Sequence, residues 1–237
     1  MKGEPLLPVA GDPSRAPAVQ AMFARIAEGY DRANGLMSFG IDRAWRRIAI
    51  RELGERARGD VLDLCAGTMD FSGMLVGQAR SLTALDFCAP MLERGAHKAP
   101  TARRVCADAR EMPLDDASFD ACVAGFGIRN VPEPERALGE AWRVLRPGGV
   151  LVVVDFFQPR TFLARLMAGT YNRMVLPLVG GVVSGDAAAY RYLAESMGAW
   201  TDREGFERMC VAAGFAQASG RELFPPVASL VVARKGE

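Results

Sequence analysis

Short runs rich in β-branched residues alternate with helix-length segments between residues 61 and 157. This alternation constrains the fold most strongly, because it is typical of parallel strands joined by crossover helices. Several of the runs are apolar throughout, as expected for strands that are covered on both faces. The pattern predicts strands over residues 61–66, 81–87, 103–109, 119–127 and 149–157.

The pattern changes after residue 214, where two further strand-like runs are separated by Pro225 and Pro226. These runs predict an antiparallel pair that closes the sheet. With 237 residues, half of them hydrophobic, the chain is long enough for one domain with an appendage. We expect a flexible, proline-rich leader over residues 1–18 and a single domain over residues 19–237, with a helical segment at 19–58 and a helical lid at 158–200.

The charge and cysteine content exclude several classes of function. Twenty-nine basic residues against 28 acidic ones leave a net charge of +1, so a nucleic-acid partner is not expected. The five cysteines are odd in number and form no C-x-x-C pair, which favours a reducing cytoplasm and predicts no metal site. His97 is the only histidine, and its polar surroundings predict a solvated surface residue rather than a catalytic base.

An amphipathic helix is predicted ahead of the first strand. Apolar residues recur there at helical spacing, at Ile41, Ala44, Trp45, Ile48 and Leu53. The remaining faces carry four arginines, Arg43, Arg46, Arg47 and Arg51. We favour a solvated basic face, partly neutralised by Glu52 and Glu55, over contact with anionic lipid.

Residues that suit a nucleoside follow the first three predicted strands, at the sheet edge where such folds bind ligands. Gly67 allows the backbone to approach a ligand closely, next to the start of the following helix. Asp86 lies 19 residues later, near the spacing at which a carboxylate meets the ribose hydroxyls. Asp108 and Ala109 follow the third strand, where an adenine would lie. The alternative for Asp86 is a helix cap before residue 89.

These residues, with the run from Arg143 to Gly149, resemble the ordered motifs of class I S-adenosylmethionine-dependent methyltransferases. Within that class the chain is similar to the ubiquinone/menaquinone biosynthesis C-methyltransferases. Three blocks carry this resemblance, namely Tyr30–Ser38 continuing to Trp45, Phe126–Val131, and the lid with its ordered residues Tyr171, Pro177, Gly180, Ser184, Asp186, Tyr190, Tyr192, Leu193 and Ser196.

The resemblance implies a Rossmann-like α/β fold, a doubly wound, seven-stranded and mostly parallel sheet with one antiparallel strand and a helical lid. It implies methylation at a ring carbon of a reduced prenylated quinone, a demethylmenaquinol or a ubiquinone precursor, with S-adenosylmethionine as cofactor. We favour demethylmenaquinol. The alternatives are a C- or O-methyltransferase of another aromatic or polyketide-like metabolite, and a ligand-binding relative that transfers no methyl group.

The same resemblance implies roles for individual residues. The expected cofactor-binding residues are Asp63, Gly67, Thr68, Asp86, Asp108, Ala109 and Gly125. The expected substrate-binding residues are Asn34, Met37, Asn130, Tyr171 and Tyr190.

Four residues are expected to carry the chemistry. Arg129 would stabilise a phenolate-like charge, because a guanidinium stays protonated, and Tyr30 would hydrogen-bond the ring oxygen. Asp31 and Asp155 are the carboxylates that would accept the proton, directly or through water. The alternative for Arg129 is a structural ion pair with Glu133 or Glu135, and for Asn34 it is a helix-capping role.

The chain also departs from the family pattern. Met69 replaces a glycine, which predicts a bulky side chain close to the cofactor. Asp42, Ala33 and Gly125 replace the usual histidine, methionine and small hydroxyl residue. Asp155 and Phe157 replace a glutamate and a serine, so we expect a divergent member, and these departures keep the alternative of another aromatic substrate open.

The predicted lid is rich in apolar residues that would line a channel for a prenyl tail or simply pack on the sheet. Peripheral contact with the inner face of the membrane and a homodimer are further hypotheses. The apolar lid residues are Phe162, Leu163, Leu166, Met167, Val175, Leu176, Leu178 and Val179.

Overall fold

The computed structural model describes residues 16–159 and 187–237, which form one mixed sheet with helices on both faces. The sheet has seven strands, β1 (Asp60–Leu64), β2 (Ser81–Asp86), β3 (Arg103–Cys106), β4 (Phe119–Gly125), β5 (Leu145–Asp155), β6 (Gln217–Glu222) and β7 (Ser229–Arg234). The α-helices of the described ranges are α1 (Ala16–Ile26), α2 (Tyr30–Met37), α3 (Ile41–Leu53), α4 (Asp70–Leu75), α5 (Ala89–Gly95), α6 (Pro134–Val144), α7 (Ala187–Ala199) and α8 (Arg203–Ala212).

The strand order is β3-β2-β1-β4-β5-β7-β6. Strands β1 to β5 pair in parallel, whereas β7 runs antiparallel to both β5 and β6. The predicted doubly wound sheet with one antiparallel strand is therefore confirmed. The order reverses between β1 and β4, and this switch point is where ligands bind in sheets of this kind.

The core lies on both faces of the sheet, which explains why the strands read as continuous apolar runs. Val61 and Val123 belong to the cluster that α3 covers with Trp45 and Leu53. The next residues along the strands face the other way and pack under α6, as Leu62 does. Because α3 buries its apolar face on the strands, it brings its first turn to their carboxyl edge.

The strands end one to three residues earlier than predicted. After β1 and β4 the backbone leaves the sheet at Cys65 (φ 54°) and Phe126 (φ 59°), both in the left-handed region that non-glycine residues rarely adopt. Strand β5 begins earlier than predicted, at Leu145, because Leu145 pairs with Phe119 before the chain kinks and resumes pairing at Val150.

The predicted amphipathic helix is confirmed as α3, but two of its positions were assigned to the wrong face. Ala44 is exposed, whereas Arg46 is buried with only 6% of its surface accessible. Glu52 and Glu55 neutralise other arginines, Arg221 and Arg58, which lie outside the basic face of α3.

Helix α1 begins at Ala16, within the range predicted as a leader. The rest of that leader and much of the predicted lid, including Tyr171 and the apolar channel residues, lie outside the described residues. Within the described ranges, no helix has the length and apolar character needed to cross a membrane.

A buried carboxylate joins β1 to the helix that follows it. Asp63 is 1% exposed, and its Oδ2 accepts hydrogen bonds from the backbone N–H (2.9 Å) and the hydroxyl (2.7 Å) of Ser72. Burial raises the pKa of Asp63 to about 7, although both bonds from Ser72 favour the ionised form. Ionised Asp63 therefore carries a cost in the folded state that is absent in the unfolded chain.

We expect Asp63→Asn to become more stable relative to the wild type as pH rises. The folded-state pKa of about 7 lies above the ordinary 3.8, so the wild type loses stability between about pH 4 and 7. The asparagine does not titrate and keeps an oxygen acceptor for Ser72. Thermal unfolding at pH 5 and pH 8 should show the variant's Tm advantage growing by roughly 2–4 °C or more. An advantage independent of pH would contradict this account of Asp63.

Candidate functional site

Two cavities meet at the carboxyl edge of the sheet. The strand-end cavity lies over the loops that follow β1 to β4, and the helical cavity lies between α1, α2, α3 and α7. Both cavities share five lining residues, Phe23, Tyr30, Arg46, Phe126 and Asn130. The two cavities are therefore adjacent, and ligands in them would lie against the same five side chains.

Asp86 lines the strand-end cavity from the end of β2. Its carboxylate accepts hydrogen bonds from the backbone N–H groups of Gly67 (2.8 Å) and Cys88 (2.9 Å). It also organises the turn before α5, but the N-cap of α5 is Cys88, whose side chain makes no capping bond, so the helix-cap alternative for Asp86 is wrong. Burial raises its pKa to about 6 against the opposing effect of the backbone bonds.

The loop after β3 forms the far end of the same cavity. Asp108 and Ala109 line it together with Phe87. Asp108 forms an ion pair with Arg110 at 2.8 Å, and hydrogen bonding from Arg110 keeps the pKa of Asp108 below its ordinary value. Asp108 is thus held as an anion at the cavity edge.

Asp63 does not line the strand-end cavity. Its carboxylate faces Ser72 beneath the loop, so the structure gives it contact with α4 rather than with the cavity. The backbone N–H of Ser72, in the first turn of α4, donates to this carboxylate and is not free for a ligand. Gly67 and Thr68, by contrast, do line the cavity.

Met69 does not obstruct the site, contrary to the prediction. Its backbone adopts the left-handed conformation (φ 61°) that favours glycine, but its side chain is fully buried in the core beneath the loop. Gly125 lines the cavity and is constrained by packing, because a Cβ there would lie 2.6 Å from the ring of Phe71. The ring of Phe71 thus leaves no room for a side chain at position 125, one of the positions where the chain departs from the family pattern.

Arg129 and Asp155 form a buried ion pair. The guanidinium of Arg129 lies 2.6 Å from Asp155 Oδ1 and also donates to the carbonyl of Phe126. The expected alternative, a pair with Glu133 or Glu135, is wrong, since Glu133 pairs with Arg110 instead. Arg129 lines the helical cavity, whereas Asp155 is fully buried behind it.

Both members of this pair keep an unused polar atom. Asp155 Oδ1 also accepts the N–H of Phe156, but Asp155 Oδ2 and Arg129 Nε have no hydrogen-bond partner among the described residues. Buried polar atoms are normally satisfied, so these two atoms carry a desolvation cost in this arrangement.

Tyr30 and Asn34 line the helical cavity from α2. Burial raises the pKa of Tyr30 above its ordinary value, opposed by a hydrogen bond with Asn34 and by the charges of Arg129 and Arg46. The phenol is therefore a neutral hydrogen-bonding group at neutral pH.

Asp31 lies outside both cavities. It accepts a hydrogen bond from the hydroxyl of Thr68 (2.5 Å) and forms an ion pair with Lys98 (2.7 Å). Its partial burial would raise its pKa, but the bonds from Lys98 and Thr68 outweigh that effect and lower it. Asp31 thus ties α2 to the loop after β1.

The remaining expected substrate residues are only partly described. Asn130 lines both cavities, and its side-chain oxygen accepts a hydrogen bond from Tyr192 of α7 at 3.0 Å. Met37 and Tyr190 lie in α2 and α7, but their side chains lie outside the described residues, as does the whole of Tyr171.

Arg46 is a site residue that sequence reasoning missed. It lines both cavities, pairs with Asp42 one turn earlier and with Asp70 at 3.2 Å, and lies over the rings of Phe71 and Phe126. The available signal was Asp42 four residues earlier, which gives an arginine a partner on its own helix. Within the described residues, no acidic, cysteine or histidine cluster could hold a metal ion.

Comparisons with known proteins agree with this geometry. The model of the ubiE/COQ5 methyltransferase family matches residues 12–235. A demethylmenaquinone methyltransferase from Clavibacter sepedonicus is 40% identical over 223 residues, covering 92% of this chain and 91% of that protein.

A further relative and a solved structure of similar fold extend the comparison. A ubiquinone/menaquinone biosynthesis C-methyltransferase UbiE from Ruegeria sp. is 38% identical over 225 residues, 91% of this chain and 90% of that protein. The solved structure of a Thermotoga maritima S-adenosylmethionine-dependent methyltransferase, titled as a possible histamine N-methyltransferase, shares the fold with a TM-score of 0.64 and 20% identity. It covers 91% of this chain and 99% of that one.

Proposed function

The chain belongs to the ubiE/COQ5 methyltransferase family, and from that membership we propose that it methylates a ring carbon of a reduced prenylated quinone with S-adenosylmethionine. A demethylmenaquinol is the preferred acceptor, in keeping with the name of the Clavibacter relative. The observation that carries the proposal is the shared wall of the two cavities, where a methyl donor and an acceptor would meet.

The residues of the strand-end cavity fit S-adenosylmethionine. Asp86 presents a buried carboxylate for the ribose hydroxyls, and the turn at Gly67 (φ 52°) has no Cβ to obstruct it. Asp108 and Ala109 lie where the adenine would bind. When bound there, the cofactor supplies an electrophilic methyl group on a sulfonium.

The helical cavity suits a hydroxylated aromatic ring. Phe156, Met197 and Leu193 contribute apolar walls, while Tyr30 and Asn34 contribute hydrogen-bonding groups. Such a lining, mostly apolar with a few polar groups, is typical of sites that orient a small aromatic ligand. The apolar walls on α1 and α7 would accept the start of a prenyl tail.

The chemistry requires stabilisation of negative charge on the ring oxygen, because an ionised phenol makes the neighbouring carbon nucleophilic. Arg129 provides a permanent positive charge at this cavity, and Asp155 holds its guanidinium in place. Tyr30 donates a hydrogen bond to the ring oxygen. Of the two proposed proton acceptors, Asp155 lies nearer the acceptor site, because its partner Arg129 lines this cavity, whereas Asp31 is paired with Lys98 outside it.

We expect the purified protein to add one methyl group to the ring of a short-chain demethylmenaquinol, and a variant without the Arg129–Asp155 pair to lose this activity. The double variant Arg129→Met, Asp155→Asn removes both charges together and so avoids leaving a buried carboxylate unpaired. Loss of the charge should lower kcat by roughly 100-fold or more. Mass spectrometry of the product and calorimetric titration with S-adenosylhomocysteine provide the two measurements.

The double variant Arg58→Met, Glu55→Gln is the matched control, since it removes an exposed ion pair that lines neither cavity and should leave kcat unchanged. Cofactor affinity should be the same in the Arg129→Met, Asp155→Asn variant and the wild type. Full turnover in that variant would refute the role of Arg129. Cofactor binding without quinol methylation in the wild type would indicate another aromatic substrate.

A surface beside the helical cavity supports peripheral contact with an anionic membrane. Phe39, just before α3, is 74% exposed, and Phe224, in the β6–β7 turn, is 88% exposed. The backbone carbonyl of Phe224 accepts the indole N–H of Trp45, which joins this turn to α3. Three exposed arginines follow Phe39 along one stripe of α3, and none is ion-paired with another described residue. They are Arg43, Arg47 and Arg51.

This combination of exposed aromatic rings and unpaired positive charge matches the interface of an anionic bilayer. We expect the protein to float with vesicles containing phosphatidylglycerol but not with pure phosphatidylcholine vesicles. The double variant Phe39→Ser, Phe224→Ser should lose most of the floating fraction, whereas Val211→Ser, at an exposed site on α8, should not. Equal flotation of the wild type and both variants would refute membrane contact through this surface.

A further inference from the structure

We propose that Arg46 and Asp70 together bind the amino-acid tail of the cofactor, Arg46 through its carboxylate and Asp70 through its ammonium group. This inference rests on the proposed use of S-adenosylmethionine. It assigns a role to the buried arginine of α3, whose neighbours in the structure are otherwise two carboxylates and two aromatic rings.

The first step is the direction in which the cofactor lies. The strand order places the loops after β3, β2, β1 and β4 next to one another along the sheet edge. Asp108 and Asp86 follow β3 and β2, so an adenosine held by them occupies one end of the strand-end cavity. The rest of the molecule must then extend over β1 and β4, where Arg46, Thr68 and Asp70 line the same cavity.

The second step is the state of the Arg46 side chain. It is 94% buried, and its two terminal nitrogens are directed at Asp42 and Asp70. Its Nε has no hydrogen-bond partner among the described residues, although it is shielded from solvent. A buried donor without a partner is costly, and an added acceptor would offset that cost.

The third step is charge. Arg46 belongs to a chain of ion pairs that runs from Asp42 through Arg46, Asp70 and Lys98 to Asp31. This chain contains three carboxylates and two cations, so it carries one net negative charge. The amino-acid tail is a zwitterion and adds no net charge, while the sulfonium next to it adds one positive charge that matches the excess.

The fourth step is the match between the Arg46–Asp70 pair and the two charged groups of the tail. Asp70 pairs with Arg46 through Oδ2 and with Lys98 through Oδ1, and each oxygen keeps a second acceptor direction. Arg46 and Asp70 therefore offer a donor and an acceptor side by side, 3.2 Å apart, as an α-carboxylate and an α-ammonium require. The same contact would fix the tail relative to Arg129 across the shared wall.

Three ligands separate this tail site from the adenosine site. S-adenosylhomocysteine has both tail groups, S-adenosyl-3-thiopropylamine lacks only the carboxylate, and 5′-methylthioadenosine lacks both. Calorimetric titration of the wild type, Arg46→Met and Asp70→Asn with each ligand gives a complete set of affinities. We expect Arg46→Met to weaken S-adenosylhomocysteine binding by about tenfold or more and to leave the other two ligands unchanged.

Asp70→Asn should weaken the two ligands that keep the ammonium group and spare 5′-methylthioadenosine. Arg46→Lys, which retains the positive charge, should recover part of the S-adenosylhomocysteine affinity. Unchanged binding of 5′-methylthioadenosine also shows that each variant is folded.

Equal weakening of all three ligands by Arg46→Met would overturn the proposal and make the residue structural. Unchanged S-adenosylhomocysteine binding by Arg46→Met would also overturn the proposal, and Arg46 would then be assigned to binding the methyl acceptor. If the wild type bound none of the three ligands, the cofactor assignment itself would fail, which is distinguishable from both outcomes.

Discussion

Three buried carboxylates at the ends of parallel strands hold the loops from which the site is built. Asp63 on β1, Asp86 on β2 and Asp155 on β5 are each at most 6% exposed. Each accepts at least one backbone N–H from the chain that follows a strand, so the loops cannot move without leaving a buried carboxylate unsatisfied.

The concentration of negative charge at this edge also explains where the buried cations lie. Arg129 compensates Asp155, and Arg46 and Lys98 compensate carboxylates on the loops around β1. Arg129 lies at the wall of the helical cavity, where a methyl acceptor would develop charge. Holding the fold and stabilising the reacting oxygen would then be two uses of this one side chain.

Sequence patterns predicted the sheet, its closing pair and the position of Asp86, because strand periodicity and strand-to-ligand spacing are local signals. They did not predict the strand ends, since Cys65 and Phe126 adopt left-handed backbone that only glycine would have signalled. They also missed the burial of Arg46 and the partner of Arg129, because both depend on loops brought together across the sheet. Met69 was misjudged for the same reason, as its side chain turns into a core that no local pattern reveals.

The most direct test of the central claim is the affinity for S-adenosylhomocysteine as a function of pH in the wild type and in Asp86→Asn. The pKa of Asp86 is about 6, and its ionised form is the better acceptor for ribose hydroxyls. We expect wild-type affinity to fall as pH is lowered from 8 to 5, and the variant to bind about tenfold or more weakly with no such dependence. The same affinity and pH profile in both proteins would contradict the assignment of this cavity to the cofactor.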